Sequence, residues 1–302
     1  AKAWANLASA GGAGEARSAT QSYKGWLGMT ASPHKGALPK PNVAATLSSG
    51  VDDWSPILSA KDTDQTEDIT QELELLEVAQ GCPALVLPPF RPEGIVEAAD
   101  SYAFKSGLGG SRLRPRHIAW LSVGALWALC HLLTLIESDG RPPTAALMAL
   151  MAVLGKKTGG ARTIGLIDTL VRVYARRRYW DVREAVEASL ARPYFFAAPR
   201  MGVMTAVMAQ SMACEVARAT GNAAIAAMFD LEKFYEAITA VEVYSSLRWL
   251  GLSHLFAFII GRVYLCARRL KLGKQVSRVF YPGQSALAGC TWATVIVRAY
   301  ML

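Results

Sequence analysis

The sequence predicts an α+β protein in which helices predominate and a small sheet is built around one hairpin. Three observations predict this class. Apolar residues recur at helical spacing over several long segments, two short apolar runs flank a turn rich in glycine and lysine, and 52% of the 302 residues are hydrophobic. A chain of this length and composition buries a substantial core in one or two domains.

The N-terminal third of the chain is predicted to contribute little to that core. Residues 1–65 are rich in Ala, Ser, Gly and Pro with weak periodicity, which is typical of a disordered tail or linker. Residues 66–94 predict one amphipathic helix followed by a Pro-rich connector. We expect a globular unit from about residue 95 onward, with a boundary near residues 222 and 223.

The first part of this unit is predicted to contain three helices and a hairpin. Helical periodicity covers residues 117–138, 165–190 and 203–220. Between the first two helices, residues 147–167 hold two apolar runs on either side of the turn "LGKKTGGAR". This pattern predicts a strand, a turn and a second strand.

The second part of the unit is predicted to hold one ambiguous run and several regular elements. Residues 223–230 are a buried strand or a weak helix, because periodicity cannot decide for so short a run. Residues 231–251 and 253–273 predict helices. Residues 275–283 alternate as an exposed strand does, and residues 285–302 predict a turn of small residues that leads into a helix.

Charge along the chain points to a polyanionic partner. The net charge is +8, yet residues 52–77 are acidic, so the basic residues concentrate later, at 112–117, 155–162, 172–183 and 266–274. A basic body favours binding to nucleic acid or to an anionic membrane surface. The alternative is a solvated basic surface that has no partner.

The cysteines indicate the compartment of the protein, and the apolar segments bear on whether it associates with a membrane. The five cysteines occur singly and without zinc-ligand spacing, which predicts reduced thiols in an intracellular compartment, nuclear or cytoplasmic, with an organelle as the alternative. Residues 119–136 and 144–155 form a candidate membrane hairpin, although the first is barely long enough to span a bilayer. We favour elements of a soluble core for both segments, and therefore expect no stable membrane association.

The hairpin is the first candidate for chemistry. Lys156, Lys157 and Arg162 surround a flexible Gly-Gly turn, and cations in that arrangement can close on a triphosphate. The P-loop order G-x-x-x-x-G-K-[ST] is absent, so this is a different kind of phosphate site. The alternative is an exposed basic turn.

The stretch "MFDLEKFYEAI" is the second candidate. If the residues before it form a strand, Asp230 lies at the carboxyl end of that strand, where it and the carbonyl of Leu231 can hold Mg²⁺ against nucleotide phosphates. Tyr235 follows five residues later and can reach over the same pocket, whereas Glu232 and Glu236 are predicted to face solvent. The alternative is that Asp230 caps a helix and Tyr235 is a core aromatic.

A loop of small residues is the third candidate. Gly283 and Gly289 flank small side chains in "GQSALAGCTW", which allows another backbone to approach closely. The alternative is a simple loop before a helix.

From about residue 110 to residue 302 the sequence resembles the fingers and palm of reverse transcriptases of the group II intron and non-LTR retroelement type. The hairpin is similar to that family's finger hairpin, and "MFDLEKFYEAI" to its first catalytic motif. "GQSALAGCTWATVIVRAYML" is similar to the next motif, in which Gly289 and Cys290 match. The departures from the family pattern are Thr163 for Pro, Phe234-Tyr235-Glu236 for Ala-Phe-Asp, Ala288 for Gln and Ala293 for Ser.

The resemblance implies the helix-rich fingers and an incomplete palm of a right-hand polymerase, and a reaction that adds deoxynucleotides to a primer on an RNA template. It implies that Asp230 and the carbonyl of Leu231 hold catalytic Mg²⁺ in a two-metal site. Lys156 and Arg162 would contact the incoming dNTP. Tyr235 would pack under its sugar and screen the 2′-hydroxyl.

The resemblance also implies contacts with the RNA template and DNA primer. Gly289 and Cys290 would touch the template and the nascent base pair, while basic helix residues would hold the backbone of the nucleic acid. The family's aromatic-x-Asp-Asp motif does not occur in the 302 residues, so we expect this chain alone to be catalytically inactive. The alternatives are a decayed retroelement remnant, a non-catalytic basic nucleic-acid-binding module, or a membrane-associated helical protein. The predicted backbone contacts are Arg172, Arg176, Arg177 and Arg178.

Overall fold

The structure is a computed structural model that describes residues 43–58, 71–74, 84–104, 106–155, 161–192, 202–223, 234–272 and 275–302. The helices with defined bounds are α1 (Val43–Trp54), α2 (Pro92–Asp100), α3 (Pro115–Ala119), α4 (Val123–Asp139), α5 (Thr169–Leu190), α6 (Val203–Ala219), α7 (Phe234–Ala237), α8 (Ala240–Trp249), α9 (His254–Leu265) and α10 (Ala293–Tyr300). The strands are β1 (Met148–Gly155), β2 (Ala161–Leu166), β3 (Ala267–Leu272) and β4 (Gln275–Val276).

The four strands form one mixed sheet in the order β2-β1-β3-β4. β1 pairs antiparallel with β2, from Leu150 opposite Leu166 to Gly155 opposite Ala161. On its other edge β1 pairs in parallel with β3, which in turn pairs antiparallel with β4. A mixed sheet accompanied by helices confirms the predicted α+β class.

The hairpin and the helix that follows it are confirmed. β1 and β2 lie within the predicted residues 147–167, and the turn between them, residues 156–160, lies outside the described residues. α5 begins where it does because Asp168 caps it: the carboxylate Oδ1 accepts a hydrogen bond from the Leu170 N–H at 2.9 Å. The hairpin therefore leads directly into the long helix α5.

The predicted helix over residues 253–273 is wrong in its last third. α9 ends at Leu265, and Ala267–Leu272 is the strand β3. Arg268 and Leu270 are buried while Ala267 and Arg269 are half-buried, so the segment follows the alternation of a strand. The segment is a strand because it pairs with the free edge of β1, in spite of its helical pattern. The residues of the segment itself do not indicate that pairing.

The prediction of a disordered tail over residues 1–65 is wrong for residues 43–58. Val43–Trp54 forms α1, in which Leu47 and Val51 are buried, and Leu58 after it is buried too. These side chains recur every four to seven residues and pack into the main core. The Ser, Ala and Gly residues that separate these side chains lower the average hydrophobicity of the segment. The apolar residues nevertheless keep helical spacing.

Two of the long predicted helices are each divided in two. The first breaks between Ala119 and Val123, where Ser122 caps α4 by accepting a hydrogen bond from the Ala125 N–H at 3.3 Å. The second breaks at Thr239, whose side chain accepts from the Glu242 N–H at 3.2 Å while the Glu242 carboxylate accepts from the Thr239 N–H. This reciprocal arrangement is a capping box, and it starts α8 in a new direction.

The capping box makes the stability of α8 depend on pH. Burial raises the pKa of Glu242, but the hydrogen bonds from Thr239 outweigh it and the net pKa is lowered. A lowered pKa means that the carboxylate stabilises the fold above the ordinary glutamate pKa of about 4.3, and that this contribution is lost as the pH falls through the folded value. Thr239→Ala should lower the free energy of unfolding at neutral pH by about 1 kcal/mol.

Urea denaturation of the wild type and of Thr239→Ala at pH 7 and near pH 3 measures this effect. The difference between the two proteins should shrink at the lower pH, because the protonated glutamate has lost its part of the box. A difference that is as large at low pH as at neutral pH would rule out the carboxylate's role. Ser189→Ala is the control, because the Ser189 hydroxyl is exposed within α5 and bonds to the Ala185 carbonyl.

The remaining predictions of secondary structure are confirmed in part. Residues 275–283 form only the two-residue strand β4, with a further bridge between Phe280 and Arg268. The turn and helix over residues 285–302 are confirmed as a loop followed by α10. Of the predicted helix after residue 65, residues 71–74 are described and helical, whereas the run 223–230 lies almost entirely outside the described residues.

The core is centred on α9 and on the residues that surround it. Phe256, Ile260 and Val263 on this helix are fully buried, and Trp292, just before α10, packs against Phe256. α8 and α10 contact each other and α8 contacts α9. None of the helices that the structure describes has both the length and the apolar character that crossing a bilayer requires.

Candidate functional site

The loop over residues 284–290, named here the Gly289 loop, lies directly against β2. The Gly165 N–H donates to the Ala288 carbonyl at 2.9 Å. Gly289 has a φ of 109°, and a Cβ on it would stand 2.7 Å from the carbonyl oxygen of Gly165. A Cβ on Gly165 would stand 2.6 Å from Leu287. Glycine at both positions therefore allows the loop and the strand to touch, as the third sequence motif predicts in general terms.

The same loop is bonded to residues 234–239, named here the Tyr235 segment. The Ala286 N–H donates to the Tyr235 carbonyl at 2.7 Å, and Thr239 forms a bridge with Gln284. The Tyr235 side chain is half-buried and packs against the core. The Gly289 loop thus lies between β2 and the Tyr235 segment, so parts of all three sequence motifs meet in one place.

Trp292 fixes the end of this loop to α5. Its side chain is fully buried, and its indole N–H donates to the Ala175 carbonyl at 2.9 Å. The ring stands edge-on to Tyr179 and to Phe256, with centroids 5.7 and 4.9 Å apart. These contacts are specific enough to hold the loop at a set distance from the helix that follows the hairpin.

Cys290 is a packing residue in this arrangement. Burial raises the pKa of its thiol, which keeps the group neutral near pH 7. Burial also raises the pKa of the neighbouring Tyr264 hydroxyl well above its usual range, and the Cys290 thiol raises it further. A neutral, buried thiol is a poor nucleophile, so we expect no thiol chemistry at Cys290, and its contact with template and base pair stays a prediction.

Most of the residues predicted to hold magnesium and the triphosphate lie outside the described part of the chain. Lys156, Asp230 and Leu231 lie outside the described residues. Arg162 is placed in β2, opposite Leu154, by its backbone. Within the described ranges no three His, Cys, Asp or Glu side chains come together in a way that would hold a metal ion. The predicted magnesium ligands and triphosphate contacts therefore stay predictions.

Two of the four predicted backbone-binding arginines lie on one aromatic ring. The guanidinium groups of Arg172 and Arg176 stand 4.5 and 3.7 Å from the centroid of Tyr102. Arg172 donates to the Gly107 carbonyl at 2.6 Å, and Arg176 to the Ser101 hydroxyl at 2.8 Å. Both side chains remain partly exposed, so they are held in position while still accessible to a phosphate.

The other two arginines are engaged with carboxylates. Arg178 is only 2% exposed; it bonds to Asp181 at 2.9 Å, pairs closely with Glu137, and stands 3.6 Å from the Phe90 centroid. Arg177 is partly exposed and pairs with Asp181 as well. In this conformation the guanidinium of Arg178 faces protein carboxylates rather than solvent, which is the arrangement of a structural ion pair.

The aromatic rings that accompany the basic side chains were not among the predicted site residues. Besides Tyr102, the exposed Phe104 ring has the Arg114 guanidinium 4.7 Å from its centroid. Trp120 is 67% exposed and stacks on His117 with centroids 5.4 Å apart. Aromatic rings interleaved with arginines suit the stacking of unpaired bases. The interleaving is visible in residues 102–120 once basic and aromatic residues are read together.

Arg268 does not add to the basic surface, although it belongs to the basic group at residues 266–274. It is fully buried, and its Nη2 donates to the Tyr264 carbonyl at 2.6 Å. Burial lowers its pKa to about 10, so the group still carries its charge at neutral pH. The positive charge of this segment is therefore partly internal.

No protein-family model matches the chain, and no curated protein matches it.

Proposed function

We propose that the chain forms the fingers and part of the palm of an RNA-directed DNA polymerase, in which a deoxynucleoside triphosphate binds between the hairpin and the Gly289 loop. The observation that carries this proposal is the position of the Gly289 loop, which contacts β2 on one side and the Tyr235 segment on the other. The three motifs that resemble the polymerase family are far apart in sequence, and their order alone does not require them to meet.

The distance along β2 from Arg162 to Gly165 is comparable with the length of a nucleotide. Arg162 and Gly165 lie three residues apart in this strand, which corresponds to about 10 Å. Side chains three residues apart in a strand start from opposite faces of the sheet, so Arg162 would have to reach a phosphate round the outer edge of β2, where the Gly289 loop lies. Lys156, which follows β1 in the sequence, would add a second cation for the triphosphate.

The donor set predicted for magnesium agrees with the chemistry of that ion. Mg²⁺ prefers hard oxygen ligands, and Asp230 and the Leu231 carbonyl offer a carboxylate and a carbonyl oxygen. Bound there, the ion would neutralise the charge that builds up on the phosphates as a primer hydroxyl attacks. Lys156 and Arg162 would orient the triphosphate, and Tyr235 would select against a ribose 2′-hydroxyl by its bulk.

Titration of the 302-residue chain with dATP, with and without MgCl₂, tests this proposal. We expect binding that requires Mg²⁺ and that weakens at least tenfold in Asp230→Asn, because one metal carboxylate is lost. Glu232→Gln is the matched control, since it removes a neighbouring carboxylate that is predicted to face solvent. Equal dATP affinity with and without Mg²⁺, or in Asp230→Asn, would refute the proposed site.

A second candidate function is a non-catalytic module that binds single-stranded nucleic acid. The exposed rings of Phe104 and Trp120, with Arg114 and His117 against them, favour this candidate. Binding of this kind would require neither Mg²⁺ nor Asp230. The two functions are compatible in one chain, but only the first predicts that dATP binds.

Arginine substitutions measure the contribution of this surface. Arg172→Gln and Arg176→Gln should each weaken binding to an unstructured RNA oligonucleotide and reduce the slope of log affinity against log salt by about one unit. Arg177→Gln is the control, because that side chain is already paired with Asp181. Fluorescence anisotropy at several salt concentrations gives the slopes. Equal slopes for all three variants and the wild type would exclude a role for Arg172 and Arg176 in phosphate binding.

A further inference from the structure

A cleft between α2 and α5, named here the Trp180 cleft, is separate from the proposed nucleotide site. Glu97 of α2 lines one side of it, and residues 177–185 of α5 line the other. Its volume is about 800 Å³, within the range of ligand sites in proteins. Charged and apolar side chains both line it, so it suits a ligand that has a flat apolar surface and polar edges.

Trp180 gives the cleft an aromatic surface. The residue is half-buried: part of its side chain packs against the core, while another part lines the cleft. An indole ring that is fixed by packing on one side and accessible on the other is a platform on which an unpaired base can stack.

Two arginines flank Trp180 on the same face of α5. Arg176 lies four residues before it and Arg183 three residues after it, and these spacings place side chains next to each other on a helix surface. Arg176 is held against Tyr102, with its guanidinium 3.7 Å from the ring centroid, and Arg183 is exposed. A base stacked on Trp180 would therefore have a cation on each side for the phosphates of its own strand.

The carboxylates in the cleft favour a base over a phosphate. Glu97 and Glu184 line it, and their negative charges repel a phosphate, whereas carboxylate oxygens accept hydrogen bonds from the N–H groups of a base. Arg177 does not change this preference, because its guanidinium is paired with Asp181 and stands 3.6 Å from Glu97. The cleft therefore suits the uncharged part of a nucleotide.

We propose that the Trp180 cleft binds one unpaired base of a single-stranded RNA, with the base stacked on Trp180 and the neighbouring phosphates on Arg176 and Arg183. Arg172 continues the same face of α5 by one more turn, so the strand follows the helix for about 16 Å from Arg172 to Arg183. The proposal rests on the second candidate function, binding of single-stranded nucleic acid. It adds a base-binding site, which phosphate contacts alone do not require.

Fluorescence anisotropy with a labelled oligouridylate, which has no base pairs, tests the proposal. Trp180→Leu should weaken binding about tenfold or more and leave the slope of log affinity against log salt unchanged, because a stacked base is lost and no phosphate contact is. Trp180→Phe keeps an aromatic ring and should weaken binding less than about threefold. Arg183→Gln, in contrast, should reduce the slope by about one unit.

Trp249→Leu is the matched control, because it makes the same change in a tryptophan of α8 that is 53% exposed and does not line the cleft. It should bind the RNA as the wild type does, and circular dichroism verifies that every variant is folded. Equal losses of affinity in Trp180→Leu and Trp180→Phe, or in Trp180→Leu and Trp249→Leu, would overturn the proposal.

The failure of the cleft can be distinguished from the failure of the function on which it rests. If the wild type and Trp180→Leu bound the oligouridylate equally tightly while Arg172→Gln and Arg176→Gln bound it weakly, the base-binding site alone would be overturned. A wild type that does not bind the oligouridylate would overturn the second candidate function and the cleft with it.

Discussion

Arg178→Met should lower the free energy of unfolding by about 3–5 kcal/mol, the largest effect that we expect from a single substitution in this chain. The guanidinium is buried between Glu137 and Asp181, and it also donates to the Pro88 carbonyl at 2.6 Å. Methionine keeps much of the volume but leaves a largely buried carboxylate without its partner. Urea denaturation measures the loss, which corresponds to a fall in melting temperature of roughly 10 °C.

The neighbouring arginine is the control for this substitution. Arg177→Gln should lower the free energy of unfolding by only about 1 kcal/mol, because its side chain is partly exposed and Asp181 keeps Arg178 as a partner. Equal effects of the two substitutions would contradict the structural role of Arg178. If Arg178→Met left stability unchanged and instead weakened RNA binding, the original prediction of a backbone contact would be the better account.

Gly289→Ala should lower the free energy of unfolding by about 2–4 kcal/mol and detach the Gly289 loop from β2. The added Cβ would stand 2.7 Å from the Gly165 carbonyl oxygen, a backbone atom that cannot rotate away, and the φ of 109° disfavours any side chain. The hydrogen bond from Gly165 to Ala288 would be lost with the displacement. Denaturation gives the stability, and dATP titration shows whether the nucleotide site is lost with the loop.

Gly221→Ala is the control that separates the strain of a positive φ from the steric clash of an added Cβ. Gly221 also has a positive φ, of 71°, but a Cβ there would meet nothing within 4 Å. We therefore expect Gly221→Ala to lower the free energy of unfolding by only about 1 kcal/mol. Should Gly289→Ala be no more destabilising than Gly221→Ala, the close contact between loop and strand would be disproved.

Those parts of the fold with a strong local pattern were predictable from sequence. Two apolar runs around a glycine-rich turn indicate the hairpin. Apolar residues at helical spacing over a long segment indicate α5. β3 was not predictable, because its strand conformation comes from pairing with β1, which is distant in sequence. α1 was missed since small residues weaken its spacing, although Leu47 and Val51 preserve it.

The order of the three motifs along the chain was predictable from the sequence, but the contacts between them were not. That the Gly289 loop would touch β2 at Gly165 follows from three-dimensional packing, and no spacing in the sequence specifies it. The different exposures of Arg172 and Arg178, in contrast, are indicated by the sequence. Arg178 lies four residues from both Tyr174 and Val182, on the buried face of α5, so helical spacing alone separates it from the exposed arginines.

The central claim is that the hairpin, the Tyr235 segment and the Gly289 loop surround one nucleotide. Photolabelling of the chain with 8-azido-dATP in the presence of Mg²⁺, followed by peptide mapping, measures this most directly. We predict label in residues 156–165 and in residues 284–292, removed by excess dATP and absent from Asp230→Asn. Label that falls on α5 or α6 instead, or that excess dATP does not remove, would contradict the claim.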